Sequence, residues 1–323
     1  MFIKDDQLIS SSSREHVDLL LRIARRYYLD SKTQTEIAKE FGYSRASIAR
    51  LLKESRERNM VHITVDHPLE RLEELEQGLV ERYGLHYARV GEPAIGEDPI
   101  AVVSQCAASL FVEHMRPDSL VTVSNGNAVA ATVREVAPQN WEKTNVAQMI
   151  GSLSPTNPMT DSPEICMMLA QRLGGSFTKL PVPMILSSSG VAQAMRREGQ
   201  IAATLALGGG ADIALVGVGA VANMRSGHIF DAYVDADVVK EVVGKGAVGH
   251  ICGHHIDSNG RHVHTSLCDR TISIDFERLR RIPLVIGVAW GSTKVPAIRA
   301  CLLGGLISAL ATDKETAERL LDG

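Results

Sequence analysis

Long hydrophobic runs are missing from this chain of 323 residues. No stretch reaches the 18 or more consecutive apolar residues of a membrane helix, which argues against a membrane-spanning protein. Aromatic residues are scarce at 4%, so a core has to be built mainly from Ala, Val, Leu and Ile, a set that suits close-packed α/β layers. Cysteine is both rare and odd in number: Cys106, Cys166, Cys252, Cys268 and Cys301 include no C-x-x-C pair. That sets aside a disulfide framework or a zinc ribbon and fits a reducing cytoplasm. The opening MFIKDDQLIS is acidic early and holds no apolar stretch of the kind a secretory signal needs. Neither a Walker A loop nor a G-x-G-x-x-G fingerprint occurs, so no nucleotide cofactor is expected.

What is present is the material of a folded protein. Hydrophobic residues make up 45% and charged residues 22%, enough to bury a core. At roughly 150 residues per domain the length predicts about two domains. Charge is unevenly shared between them. The chain carries −4 overall, whereas residues 14–62 hold eleven Lys and Arg against seven Asp and Glu, a balance of +4. A basic head on an acidic body is the electrostatic footprint of a nucleic-acid module joined to something else.

The head reads as three helices. Val17, Leu20, Leu21, Ala24 and Tyr28 recur at helical spacing over 14–30. Next, Ser31 or Thr33 can cap a helix, and Glu36 stands three residues after Thr33, the spacing of a capping box, with Ile37, Ala38 and Phe41 as the apolar face. Gly42 then stands where a helix ends in a left-handed turn. Ser44 opens a further helix with Ile48, Leu51 and Leu52 inward and Arg45, Arg50, Lys53, Arg56 and Arg58 outward. Val61, Ile63 and Val65 alternate as a short strand. Helix, tight turn, helix and strand is the order of a helix-turn-helix, here with a possible wing. Thr33, Gln34, Ser44, Arg45, Ser47, Arg50 and Lys53 are the candidate DNA contacts, with Arg45 suited to a bidentate contact on guanine.

Residues 67–85 follow as an acidic amphipathic linker helix, which can serve self-association or lie on the body. From residue 86 onward short β-branched runs (Tyr87–Val90, Leu120–Val123, Val146–Ile150, Ile213–Val218, Leu284–Val288) alternate with helical stretches near 99–115, 127–136, 163–173, 190–206, 235–244 and 294–310. Such alternation predicts a largely parallel sheet covered on both faces. Ligands in such folds sit at the carboxyl ends of strands. Three small-residue loops are placed there: Asn125-Gly126-Asn127, Gly217-Val218-Gly219, and Gly291-Ser292-Thr293 ahead of Lys294. Backbone N–H groups, hydroxyls and one ammonium in such loops can hold an anion or a polyol.

These residues resemble the SorC family of bacterial sugar-responsive transcriptional regulators. The likeness is carried at the head by Tyr27–Asp30, Thr33–Ala38 and Ser44–Leu52. In the body it is carried by Ala211–Gly219, Gly246–Ile251, Asp257–Gly260, Gly304–Ile307 and Ala311–Asp313. The resemblance implies a Rossmann-like α/β body related to sugar-phosphate isomerases, binding a sugar, and a tetramer or dimer of dimers. It also places Asp257 against the sugar and Trp290 near it. Two loops depart from the family pattern. Asn125-Gly126-Asn127-Ala128 stands where Trp-Gly-x-Thr is common, and Trp290-Gly291 where two glycines are.

The combined expectation is an α/β protein with disordered residues 1–13, a DNA-binding head over 14–66, the linker over 67–85 and an effector domain over 86–323. It is a cytoplasmic regulator that needs no cofactor or metal and is not an enzyme. Its partners are operator DNA, a sugar, sugar phosphate or polyol, and further copies of itself. Two alternatives remain beside it. His250, His254, His255, His262 and His264, with Cys252 and Cys268, invite a metal reading, although their spacing fits no familiar zinc site. An isomerase-like enzyme could use Lys294 for phosphate and Asp257 or Asp231 for a proton. No paired carboxylates or His–nucleophile motif can be placed in the body to support it.

Overall fold

The helix signals of the head are obeyed in the computed structural model, which describes residues 14–61, 68–153, 160–221, 230 and 235–322. The chain divides into two compact units at the boundary between His67 and Pro68. In the first, α1 (Arg14–Tyr28), α2 (Gln34–Phe41) and α3 (Arg45–Glu57) surround a small core of Leu20, Ile23, Ile37, Ala38, Ile48, Leu51 and Leu52. Thr33 and Glu36 form the complete capping box, and Gly42 ends α2 in the left-handed conformation. The inward face of α1 is rotated from the expected one. Ile23 is buried, and Leu21 is turned to solvent. The expected strand over Val61–Val65 lies mostly outside the described residues, as do residues 1–13 and Asp231.

The second unit is built on a parallel sheet. Its strands are β1 (Tyr87–Gly91), β2 (Leu120–Val123), β3 (Asn145–Gln148), β4 (Ser176–Thr178), β5 (Ile213–Ala220), β8 (Leu284–Val288) and β9 (Ala309–Asp313), in the order β1-β9-β8-β5-β2-β3-β4. The hairpin β6 (Gly249–Ile251) and β7 (His254–Ile256) runs antiparallel beside the end of β5. Val121, Val123, Ile213, Leu215, Ile286 and Val288 face one core with α5 (Ile100–His114), α6 (Asn127–Glu135) and α7 (Ser162–Leu173). Ala214, Val216, Val218 and Val285 face the other. There they meet α12 (Val295–Leu303), α13 (Lys314–Asp322) and Leu79 of α4 (Pro68–Tyr83). Burial on both faces is what a parallel sheet requires. Among the described residues no helix is long and apolar enough to cross a membrane.

Three expectations are corrected here. The acidic helix α4 is part of the body, not a linker between units. Leu79 is fully buried, the Tyr83 hydroxyl donates to the Leu320 carbonyl at 2.8 Å, and the Val90 N–H donates to Glu76 at 2.8 Å. The stretch 190–206 is two helices, α8 (Ser189–Arg197) and α9 (Gly199–Gly208), broken where Glu198 adopts an extended backbone. The last long helix stops at Leu303 before Gly304-Gly305, and Ala309–Asp313 is a strand. All five residues of β9 are buried, and a short apolar run without alternation does not distinguish strand from helix. Residues 261–265 form no strand; His262 makes only an isolated bridge to Ile256. The short helices α10 (Ala236–Gly244) and α11 (Phe276–Leu279) complete the unit.

Candidate functional site

The strand order reverses between β2 and β5. From β2 the chain moves outward to β3 and β4; from β5 it moves the other way to β8 and β9. The connections leaving the carboxyl ends of these two neighbours therefore cover opposite faces, which opens a crevice between them. The sequence places its small-residue loops there. The Ser124 hydroxyl accepts from the Gly217 N–H at 3.2 Å, which ties the loop after β2 to the end of β5. Gly126, at φ +112°, turns the chain into α6, and its N–H donates to the Thr160 carbonyl at 2.9 Å. Only glycine adopts that backbone geometry without strain. Asn125 is buried, while Asn127, the first residue of α6, is exposed.

The third loop joins the other two. Ser292–Lys294 forms a single 3-10 turn packed beside β5. The Gly291 N–H donates to Thr316 Oγ1 at 2.8 Å, so α13 anchors the turn. Ser292 and Thr293 are exposed. Lys294 is half-buried, and its ammonium lies 5.4 Å from the centre of the Trp290 ring, within the range of a cation–π contact. Burial holds the Lys294 amine below the ordinary lysine value. Asn125, Gly126, Gly217, Gly219, Trp290, Gly291, Ser292, Thr293 and Lys294 are thus assembled from loops far apart in sequence, with Asn127 at the rim.

The described side-chain contacts of Asp257 lie within its own turn. Its carboxylate accepts from the N–H groups of Asn259 at 2.9 Å and Arg261 at 2.8 Å, so it closes its own turn. Gly260 of that turn packs against the Ala300 carbonyl and Gly304, at the far end of α12 from Lys294. At 1.5 Å per residue this contact is displaced about 9–15 Å along the helix axis.

One crevice residue that the sequence reading did not assign to the effector is His250. It pairs with Gly219 across β5 and β6, and a Cβ on Gly219 would lie 2.0 Å from its Nε2. Burial, with smaller effects of His255 and Lys294, pushes its imidazole down to about 3, so it is neutral. The only sequence signal was Gly219 itself, because a glycine inside a strand often marks close approach of another group. His255 stays beside it, with ring centres 6.2 Å apart, whereas His254 Nε2 contacts the Ile274 carbonyl at 2.8 Å and His262 stacks on Phe276. Among the described residues no group of three or more His, Cys, Asp or Glu could hold a metal ion.

In the head, α3 presents Arg45, Arg50 and Lys53 to solvent. Lys53 lies 3.6 Å from Glu57, whereas Arg45 and Arg50 have no ion-pair partner among the described residues. Ser44 caps α3, its hydroxyl accepting from the Ser47 N–H at 3.1 Å and lying 2.9 Å from the Ser47 hydroxyl. Thr33 is likewise engaged in its cap, and Gln34 begins α2.

A family model for a sugar-binding domain, Sugar-bind, matches residues 67–322. The chain belongs to this family, as a sugar-binding transcriptional regulator of the SorC type. The sorbitol operon regulator of Klebsiella pneumoniae is 29% identical over 314 residues, covering 95% of this chain and 98% of that protein. The deoxyribonucleoside regulator of Bacillus subtilis is 29% identical over 315 residues, covering 96% and 99%. The crystal structure of full-length SorC from Klebsiella pneumoniae superposes with a TM-score of 0.75 at 28% identity, over 94% of this chain and 98% of that one. These relatives are named as regulators of transcription or of an operon. A mixed α/β body with a parallel sheet and a sugar-responsive role in transcription are therefore properties of the SorC-type chain.

Proposed function

We propose that the chain binds operator DNA through a helix-turn-helix made by α2 and α3, and a sugar, sugar phosphate or polyol in the crevice between β2 and β5. It thereby controls a carbohydrate or polyol catabolic operon. The observation that carries this reading is the convergence of the Asn125, Gly217 and Ser292–Lys294 loops where the strand order reverses. The body reads as Rossmann-like. Residues 14–66 are the DNA-binding part and the remainder, α4 included, the effector-binding part. Arg45 and Ser47 face base edges, Arg50 and Lys53 meet phosphates, and Thr33, Gln34 and Ser44 position the helix ends against the backbone.

In the crevice, Lys294 and the N–H groups beginning α12 hold an anionic or hydroxyl-rich group. Asn125 and Asn127 exchange hydrogen bonds with hydroxyls, and the Trp290 indole packs on C–H faces. The protein works in the cytoplasm as a homo-oligomer, a tetramer or dimer of dimers, because reading two half-sites takes two heads. It binds its effector without turnover. A monomer in light scattering at micromolar concentration would remove the oligomer, and turnover of a sugar phosphate would revive the isomerase reading.

The deciding experiment is an operator gel shift across a titration with sugars, polyols and their phosphates. The wild type is expected to change its operator affinity with at least one of them. Lys294→Ala is expected to fold and bind operator yet lose that response. A wild-type response in Lys294→Ala places the effector elsewhere.

A further inference from the structure

The crevice turn is held from behind by the C-terminal helix. Thr316, fully buried on α13, accepts from the Gly291 N–H at 2.8 Å. Its own N–H donates to the buried Asp313 carboxylate at 3.2 Å. Gly291 opens the turn that carries Lys294, so the first turn of α13 is bonded to the crevice.

The other end of α13 is bonded to α4. The last carbonyls of a helix have no partner within it and find one elsewhere. Here Tyr83 of α4 donates its hydroxyl to the Leu320 carbonyl at 2.8 Å, Arg82 of α4 donates to the Leu321 carbonyl, and Arg299 of α12 donates to the Arg319 carbonyl at 2.9 Å. The Arg82 guanidinium also lies 5.8 Å from the centre of the Tyr83 ring, so the two donors of α4 form one grip. Leu321 packs on the bare backbone of Gly78, where a Cβ would lie 3.2 Å from its side chain. Between the two ends Ala317 and Leu320 are fully buried. At 1.5 Å per residue the helix spans about 13 Å. α4 begins at Pro68, the first residue of the second unit, and the chain passes from there into the head.

We propose that α13 is the lever of the sugar response: it carries the position of the Gly291–Lys294 turn to α4, and Tyr83 and Arg82 are the positioning residues that grip it. This rests on the crevice reading above. A group drawn onto Lys294 moves the turn, Thr316 moves with the Gly291 N–H, and a short helix packed along its length passes the movement to its carbonyl end. The coupling free energy is that of the bonds made only when turn and α4 occupy matching positions, since a ligand shifts an equilibrium only by its difference in affinity for two states.

The test uses the full chain, a DNA duplex enriched by the wild type from a random-sequence pool, and a panel of pentose, hexose and hexitol phosphates with their unphosphorylated forms. The quantity read is the coupling factor, the fold change that the tightest-binding panel member makes in DNA affinity. By linkage it equals the fold change that DNA makes in the affinity for that member. Tyr83→Phe removes one hydroxyl and is expected to lower the factor about two- to tenfold, the worth of one hydrogen bond. DNA still binds without sugar, and sugar without DNA. Arg82→Met combined with Tyr83→Phe is expected to bring the factor close to one, and Arg82→Lys, which keeps a charged donor, to retain part of what Arg82→Met loses. Thr316→Val, which cuts the other end of the lever, is expected to lower the factor as well. Tyr83→Phe alone keeps the test if the double variant does not fold.

A wild-type factor in the folded double variant overturns the lever and leaves the crevice reading standing. So does a fall in melting temperature and in both separate affinities with the factor unchanged, which is what a merely structural contact would give. A factor of one in the wild type overturns the lever too. No binding of any panel member to the wild type, or undiminished binding in Lys294→Ala, overturns the crevice reading and the proposal with it.

Discussion

The cations of α3 and the lysine of the crevice are set in opposite surroundings. Arg45 and Arg50 stand in solvent on a short helix. Lys294 is half-buried against an indole at the end of a parallel sheet. Exposed charges are screened over about 8–10 Å at ordinary salt. They suit a partner that is itself a dense line of charge, where many weak contacts add and the affinity varies with salt. A half-buried charge is screened less and acts within a fixed geometry, so it suits one group on one small molecule. The two regions also differ in how they are held. Seven buried residues make the core of the head, whereas the crevice rests on strands buried on both faces.

The sharpest way to break the comparison is to remove one side of it. Ile48 is fully buried in that small core, and truncating a buried Ile costs about 2–5 kcal/mol. Ile48→Ala is expected to unfold much of the head and abolish operator binding while the body still binds its effector. Calorimetry should show a low-temperature transition lost or shifted and the main one kept. Loss of effector binding in the same variant would mean that the two units do not stand apart energetically.

The next largest effect is expected at Lys294. A hydrogen bond to a charged group contributes about 1.5–3 kcal/mol, so Lys294→Met should weaken an anionic effector by roughly ten- to a hundredfold, since about 1.4 kcal/mol is tenfold. The pH dependence has a definite sign. The ammonium is the form that binds an anion, and burial lowers its pKa from the ordinary lysine value. Affinity should therefore be full at neutral pH, fall as pH rises through the Lys294 pKa, and do so earlier than for an exposed lysine. Titrations at rising pH check this, and a flat profile that persists in Lys294→Met assigns the anion to another group.

The head should answer differently to salt. Arg45→Ala is expected to cost about 1–3 kcal/mol on the operator and to relax specificity at one base step, whereas Arg50→Ala should weaken all sequences alike and reduce the salt slope by about 1. Equal losses on operator and random DNA for Arg45→Ala would move it among the phosphate contacts.

What could be read from the sequence follows the same division. The head is written locally: Thr33 and Glu36 stand three apart, Gly42 follows Phe41, and Ser44 precedes Arg45. Each of those signals found its element within a residue or two. The inward face of α1 was misread by part of a turn because Leu21 and Ile23 are equally apolar and only packing chooses between them. In the body the strand–helix alternation was legible, since each element announces itself. The hairpin β6–β7 was not, because its strands are three residues long and their partner β5 lies some thirty residues earlier in the chain. The crevice loops were visible as small-residue stretches. Their company was not: Asp257, read as a ligand residue, closes a turn of its own, and His250, weighed as a metal ligand, stands over Gly219. Convergence of distant loops depends on strand order, which no local pattern encodes.

The smallest expected effect sharpens the comparison at the edge of the head. Thr33 caps α2, its hydroxyl oxygen accepting from the Glu36 N–H at 3.3 Å while Glu36 accepts from the Thr33 N–H at 2.8 Å. Removing such a cap costs about 1 kcal/mol, so Thr33→Ala should lower the stability of the head by that amount, and Thr33→Ser by much less. The hydrogen bonds from Thr33 hold the Glu36 carboxyl below its ordinary value. A carboxylate with a lowered folded pKa stabilises above the unfolded pKa, and that contribution disappears as pH falls through the folded one. The wild-type head should therefore lose stability in the acid range, and Thr33→Ala, which keeps the backbone N–H donating to Glu36 but loses the hydroxyl, should lose only somewhat less there. If Thr33 only caps the helix, operator affinity in Thr33→Ala falls no further than the stability loss explains, and the salt slope stays as it was. A reduced salt slope in Thr33→Ala, with Thr33→Ser restoring it, would instead give the hydroxyl a phosphate of its own and extend the exposed, salt-sensitive surface from α3 onto α2.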